Sequence, residues 1–131
     1  MARIQQSTDV MMLPKGTIKN LSNNLGAHEI DCKCEYDSCH FTLIHRQTVA
    51  SFQSTRDEYG GKVFVNSAYR CVFHNIDIGG SLTSSHVKGL ALDLRPEYPR
   101  DLIELYDIAK KHFDFVYLNQ IKGYIHCHNN F

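Results

Sequence analysis

Residues Ser84–Asp93 read SSHVKGLALD and place His86 and Asp93 seven positions apart, with Gly89 between them. Neutral imidazole and carboxylate groups are both good zinc ligands. Seven positions is too far for one helical face, on which neighbours lie three or four residues apart. A tight turn at Gly89, which tolerates unusual backbone angles, followed by a strand from Leu90 would bring the two side chains together. The stretch therefore predicts two ligands of a zinc site, carried by a turn and a strand.

A third ligand is available in the C-terminal segment Tyr124–His128, whose sequence is YIHCH. Side chains alternate between the two faces of a strand, so His126 and His128 would share one face. Alternation alone does not choose between them. With either one, zinc would be held by two histidines and one carboxylate, and one coordination position would stay open.

The composition bounds the possible partners. The chain has 131 residues, which suits one domain with a real core, and its 14 Lys+Arg balance its 14 Asp+Glu. Without net charge or a basic stripe interleaved with aromatics, we expect neither a nucleic-acid nor a membrane partner. The eight histidines favour a metal or acid–base site. We expect a monomer.

The N-terminal region lacks targeting signals. Its apolar trio Met11–Leu13 is far shorter than the roughly seven to fifteen apolar residues of a secretory signal. No run approaches the roughly twenty apolar residues of a membrane-spanning helix. We therefore expect synthesis in a cytoplasm without a signal peptide.

The five cysteines are an odd number, which argues against a complete disulfide framework and favours thiols. Cys32, Cys34 and Cys39 lie close in sequence, next to the imidazole of His40, and could together hold a second metal. Their C-x-C spacing is poorer than the C-x-x-C of common zinc sites, so we favour small buried cysteines that brace a loop. The two remaining cysteines, Cys71 and Cys127, are interpreted as buried apolar residues.

The hydrophobic pattern predicts an α+β domain with a small, mainly antiparallel sheet and two principal helices. Residues 1–20 are predicted to form an N-terminal arm, and residues 21–131 the domain. The first helix is predicted over Thr42–Tyr59, with Thr42 as its N-cap and His45 on its solvated side. The other predicted elements are a strand at Lys62–Ser67, a flexible loop at His74–Ser81, a strand at Leu90–Leu94, a helix from Pro99 to near His112, and a hairpin of Phe115–Leu118 with Gly123–His128.

The motifs together resemble those of the zinc D-alanyl-D-alanine carboxypeptidase-like peptidases, a superfamily that includes phage endolysins and the hedgehog domain. Its signature S-x-H-x-x-G-x-A-x-D is matched in full by Ser84–Asp93. The short members also carry S-x-Y-R, H-N and G-G motifs and a closing aromatic-aliphatic-His. Here these are Ser67–Arg70, His74-Asn75, Gly79-Gly80 and Tyr124–His126, and the resemblance runs from about Leu21 to Phe131.

The resemblance implies one zinc ion per chain, bound by His86, Asp93 and His126. It implies that Arg70 pins the substrate and polarises the scissile carbonyl, and that Ser84 helps to hold the substrate. Tyr124, two residues before the last ligand, is a further candidate for substrate binding.

One position departs from the family. The peptidases usually carry an acidic general base three residues before the last ligand, and here that residue is Gly123. His128 lies on the same face as His126 and titrates near neutral pH, so it is the candidate proton shuttle.

The resemblance implies a zinc metallopeptidase that cleaves peptidoglycan stem peptides, as a carboxypeptidase or as an endopeptidase of the endolysin type. Without a signal peptide, such an enzyme could be phage-encoded and released to the cell wall, or associated with the virion. The alternative is a non-catalytic, zinc-stabilised binding module of the same fold, which the missing acid favours.

Overall fold

The computed structural model describes residues 9–130, which form antiparallel sheets and three α-helices. The largest sheet has four strands, in the order Val63–Ser67, Ala91–Pro96, Tyr124–His128 and Phe115–Asn119. Two further antiparallel pairs join Val10–Pro14 to Phe41–His45 and Asn20–Ser22 to Leu25–Gly26. The predicted α+β class is confirmed. The strands are β1 Val10–Pro14, β2 Asn20–Ser22, β3 Leu25–Gly26, β4 Phe41–His45, β5 Val63–Ser67, β6 Ala91–Pro96, β7 Phe115–Asn119 and β8 Tyr124–His128, and the helices are α1 Arg46–Tyr59, α2 Val72–Asp77 and α3 Leu102–Ala109.

The four-stranded sheet separates the core from the candidate site by side-chain alternation. Leu92 and Leu94 of β6 and Ile125 of β8 are fully buried in the main hydrophobic core. Phe52 of α1 and Leu105 of α3 are buried in the same core. Residues between these apolar positions point to the other face, and that face carries Asp93 and His126.

The end of α1 and the entry into α3 lie at the expected kinds of residue. Gly60 closes α1 with a left-handed φ of 77°, and Pro99 starts a 3-10 turn that leads into α3. The hydroxyl of Tyr59, at the end of α1, donates to Asp101 Oδ2 at 2.6 Å. This bond joins the end of one helix to the beginning of the other.

The predicted start of the first helix is wrong. Residues 41–45 form strand β4, because β1 pairs with them in antiparallel register, and α1 begins only at Arg46. Thr42 therefore caps no helix. His45, predicted to lie on a solvated face, is only 3% exposed, and it occupies the N-cap position of α1.

The predicted flexible loop His74–Ser81 is also partly wrong, since it contains the end of α2. Asn75 of this helix is buried, and its side-chain amide donates to Ser81 O at 2.8 Å. This contact fixes the chain that leads to Ser84 and His86.

The predicted N-terminal arm contributes β1, and its first eight residues lie outside the described part of the chain. Within residues 9–130, no helix has the length and apolar character needed to cross a membrane.

Candidate metal centre and cleft

The structure brings His86, Asp93 and His126 together. Asp93 in β6 lies directly opposite His126 in β8, and His86 reaches them through a turn at Gly89, whose φ is 72°. One donor atom from each side chain lies within 4.8 Å of the other two. His128 is not a member of this group, which favours His126 over His128 as the third candidate ligand.

The hydrogen bonding of His86 indicates what belongs between these side chains. His86 Nδ1 lies 2.7 Å from Ala68 O, and because a carbonyl oxygen only accepts, Nδ1 carries the hydrogen. Nε2 of the neutral ring then presents a lone pair to Asp93 Oδ1 at 3.2 Å. Two acceptors face each other at this distance only with a proton or a cation between them. A carbonyl that orients a histidine in this way is typical of metal ligands.

The spacing of the donor atoms fits zinc. Zinc–nitrogen and zinc–oxygen bonds of about 2.0–2.2 Å place the ligands of a tetrahedral site about 3.3 Å apart. The distance from Asp93 Oδ1 is 3.2 Å to His86 Nε2 and 2.9 Å to His126 Nδ1. Two imidazoles and one carboxylate also leave a fourth position open, as in catalytic zinc sites.

Asp93 is the electrostatic centre of the group. Burial alone would raise the pKa of this carboxyl, but the rings of His126 and His86 hold the pKa well below its usual range. The second oxygen, Oδ2, accepts a hydrogen bond from Arg70 Nη2 at 3.3 Å. Asp93 is therefore a carboxylate that can bind a cation through Oδ1 while Oδ2 holds the arginine.

His86, Asp93 and His126 are called the metal group below. Arg70 is fixed at the edge of this group. Its Nε donates to Ser67 Oγ at 3.2 Å, and its backbone N–H donates to His86 O at 3.4 Å. Ser67 pairs with Asp93 in the register of β5 and β6, which sets the position of the arginine relative to the carboxylate. The Arg70 side chain is 15% exposed, so its remaining N–H groups can meet a ligand.

The metal group lies in a cleft of about 510 Å³. Its lining combines hydroxyl groups with aromatic rings, and Ser84 and Tyr124 are both part of it. Ser84 Oγ accepts a hydrogen bond from His86 N at 3.2 Å, so it also holds the backbone of His86 in place. The lining residues are Arg70, Ser81, Thr83, Ser84, Ser85, His86, Asp93, Phe115, Tyr117, Tyr124, His126 and His128.

His128 lies beside the metal group and is tied to it. Its Nδ1 is 2.9 Å from His126 Nε2, and its ring stacks on Phe115 with centroids 4.8 Å apart. Burial, followed by the neighbouring His126, lowers the pKa of His128. Phe115 was not identified from the sequence. The predicted hairpin bounds would place it opposite His126, whereas the observed register places it opposite His128.

Gly123, the position of the family acid, lies in the turn before β8 with φ 76°. Side chains other than glycine adopt this conformation at a cost. The local backbone therefore suits glycine better than an acidic base.

A second group of potential ligands is formed by Cys32, Cys34, Cys39 and Cys71, whose sulfur atoms lie within 4.8 Å of one another. Cys127 is fully buried in the core, as expected. Cys71 was expected to be a buried apolar residue, but its surroundings are not simply apolar, because its sulfur lies beside three other thiols. The fourth sulfur was missed because it comes from beyond β5, outside the local spacing pattern.

Comparison with known protein families matches residues 23–128 to the family described as Peptidase M15. A search of curated proteins finds no match. The matched range includes the three candidate ligands, Arg70 and His128. It covers most of the chain, and we conclude that this protein belongs to the peptidase M15 family, whose members are zinc-dependent peptidases.

Proposed function

We propose that the protein is a zinc metallopeptidase that hydrolyses a peptide bond in peptidoglycan stem peptides, with zinc held by His86, Asp93 and His126. The observation that carries the proposal is the facing pair of acceptors, His86 Nε2 and Asp93 Oδ1, in the wall of an open cleft. When bound, zinc supplies Lewis acidity, which lowers the pKa of a water and polarises a carbonyl.

Arg70 is proposed to bind the developing oxyanion of the scissile carbonyl. Its guanidinium is held by Ser67 and Asp93, so the group is preorganised and needs little rearrangement during the reaction. A donor of this kind typically contributes about a hundredfold to a thousandfold in rate.

The cleft would take a short peptide, and Arg70 in its lining could pair with a substrate carboxylate such as those of a peptidoglycan stem. The Ser84 hydroxyl uses its oxygen to accept from His86 N, and its proton stays available to donate to a substrate carbonyl. Tyr124 is half-buried and also lines the cleft, where its ring would contact the substrate. We propose action at the cell wall, as a released phage lysin or a virion component.

His128 is proposed to transfer protons in place of the family acid. If His126 binds zinc through Nδ1, its Nε2 carries hydrogen and donates to His128 Nδ1 across the observed 2.9 Å. His128 then accepts a proton at Nδ1 only after that bond breaks. Proton transfer and orientation of His126 are therefore two separable functions of this ring.

A second candidate function is a zinc-stabilised binding module, and one observation favours it. Among the described residues that line the cleft, Asp93 has the only carboxylate, and it is committed to the metal and to Arg70. A module of this kind would bind the stem peptide in the same cleft without cleaving it.

The test is digestion of purified muropeptides by the zinc-loaded protein, with products identified by mass spectrometry. We expect cleavage that a chelator abolishes and that falls about a hundredfold to a thousandfold in Arg70→Ala. The matched control is Arg95→Ala. Like Arg70, which bonds to Ser67, Arg95 donates a hydrogen bond to a residue of β5, Asn66, but it does not line the cleft. Binding without cleavage across a broad panel of stem peptides would establish the module instead.

The variant His128→Asn separates the two functions of His128. Asparagine can accept the hydrogen bond from His126 Nε2 but cannot carry a proton at neutral pH. Loss of activity in both His128→Asn and His128→Ala supports proton transfer. Activity retained in His128→Asn and lost in His128→Ala would assign an orienting function only.

A further inference from the structure

We propose that Cys32, Cys34, Cys39 and Cys71 bind a second zinc ion in a closed structural site. Three of the cysteines lie in the loop between the 3-10 helix Ala27–Ile30 and β4, and Cys71 immediately precedes α2. All four side chains are free thiols, and their sulfur atoms lie within 4.8 Å of one another.

The distances suit a tetrahedral thiolate site. Zinc–sulfur bonds of about 2.3 Å place the sulfur atoms of a tetrahedron about 3.8 Å apart. Cys34 Sγ and Cys71 Sγ are 3.7 Å apart. A tetrahedral set of four sulfur ligands is characteristic of zinc or of iron–sulfur centres, and zinc needs no redox partner. Four protein ligands leave no open position, so the site would be structural and not catalytic.

The surroundings of the cluster supply positive charge and hydrogen-bond donors. Four thiolates around Zn²⁺ carry a net double negative charge. The ammonium Nζ of Lys15 lies 3.7 Å from Cys34 Sγ and 3.8 Å from Cys39 Sγ, and it also donates to Cys34 O at 3.3 Å. A cation in this place would be of little use to four neutral thiols.

Two backbone N–H groups are directed at the sulfur atoms. Cys71 N donates to Cys32 Sγ at 3.3 Å, and His74 N donates to Cys71 Sγ at 3.4 Å in the first turn of α2. Donors of this kind stabilise thiolates and orient metal ligands. The cluster therefore has the donors around its ligands that a thiolate metal site requires, independently of the sulfur spacing.

The position of the site gives it a consequence for the cleft. Cys71 directly follows Arg70, and the preceding Tyr69 N donates to Ile30 O at 3.2 Å. A zinc ion bound by Cys71 and by the loop after Ile30 would hold together the same two segments that this hydrogen bond joins. It would thus position Arg70, a consequence that rests on the proposed function, whereas the metal site itself does not.

The experiment measures zinc per chain by elemental analysis in protein purified under reducing conditions. We expect about two zinc ions in the wild type, one in Asp93→Ala and one in Cys34→Ser/Cys39→Ser. The matched control, Cys127→Ala, changes the cysteine outside the cluster and should keep both. The Asp93→Ala protein lacks the proposed catalytic metal, so its zinc content measures the cysteine site alone. Failure of the cysteine-site proposal and failure of the proposed function can therefore be distinguished.

Cobalt spectroscopy keeps the test valid if the cysteine variant fails to fold. Cobalt(II) bound by the Asp93→Ala protein should show a sulfur-to-cobalt charge-transfer band in the near ultraviolet and the strong visible bands of tetrahedral cobalt. The proposal would be overturned if the Asp93→Ala protein contained no zinc and four titratable thiols in the cluster. It would also be overturned by iron in place of zinc, or by a zinc-free protein in which the four cysteines form two disulfides.

Discussion

Replacing Gly89 by alanine should destabilise the protein more than the same replacement at an ordinary glycine with a left-handed backbone. Gly89 has φ 72°, and an added Cβ would lie 2.7 Å from Leu43 Cδ2 and 2.9 Å from Leu43 O. The segment cannot move away freely, because Gly89 O accepts from His45 N at 3.0 Å and from Thr48 Oγ1 at 3.1 Å. The turn that carries His86 toward Asp93 is thus packed against the backbone of β4.

The magnitude has two parts. A left-handed conformation costs a residue other than glycine about 1–2 kcal/mol. Forcing an extra methyl group into a packed site costs about 1–3 kcal/mol more. The sum is a loss of about 2–5 kcal/mol in the free energy of unfolding.

Gly60→Ala is the matched control. Gly60 has φ 77°, and a Cβ at this position meets no heavy atom within 4 Å. It should therefore cost only the conformational part, about 1–2 kcal/mol. In a domain of this size each kcal/mol lowers the unfolding temperature by roughly 3–5 °C, so the two variants should differ by several degrees.

The assay is urea and thermal unfolding of the wild type, Gly89→Ala and Gly60→Ala. The comparison is repeated in the Asp93→Ala background, where weaker metal binding at the cleft cannot contribute to the difference. Equal losses for the two glycine variants would refute the close approach of Gly89 to β4.

Three further predictions concern the site and the helix pair. Asp93→Ala should lower the zinc content by one ion per chain, measured by elemental analysis; unchanged zinc would exclude Asp93 as a ligand. Arg70→Ala should keep the zinc content and lower kcat/KM on a cleaved muropeptide about a hundredfold or more, and an unchanged rate would remove Arg70 from the mechanism. Tyr59→Phe should cost about 1.5–3 kcal/mol, because the hydroxyl bonds to the Asp101 carboxylate. Burial, and then this bond, raise the pKa of Tyr59 to about 12, so the stabilisation is full below the unfolded pKa of about 10 and is lost as the pH rises through 12. The difference between the wild type and Tyr59→Phe in urea unfolding should therefore shrink between pH 9 and pH 12, and a constant difference would contradict this assignment.

The candidate ligands could be found from the sequence because the information is local. The pattern around His126 alternates between apolar and polar residues, and Asp93 stands in a short run of apolar residues, so each segment indicates a strand, in which neighbouring residues lie on opposite faces. Gly89 marks the turn, since few other residues take its backbone conformation. These local signals also predicted the hairpin that carries His126.

Contacts between distant segments decided the rest. The antiparallel register opposes Asp93 to His126 and places His128 two pairs further along β8, opposite Ala91, which alternation could not show. The pairing of β1 with residues 41–45 converted the predicted start of a helix into a strand and buried His45.

The cysteines show the same limit most clearly. The local spacing of Cys32, Cys34 and Cys39 argued against a metal site, because their C-x-C pattern is poorer than C-x-x-C and no second cysteine pair follows at a suitable distance. The fold supplies Cys71 from the far end of β5, and it supplies the ammonium group of Lys15 from the end of β1. Periodicity reports only which residues share a face of one element. Which elements meet depends on the packing of the whole core, so the tertiary structure alone brought the four sulfur atoms together.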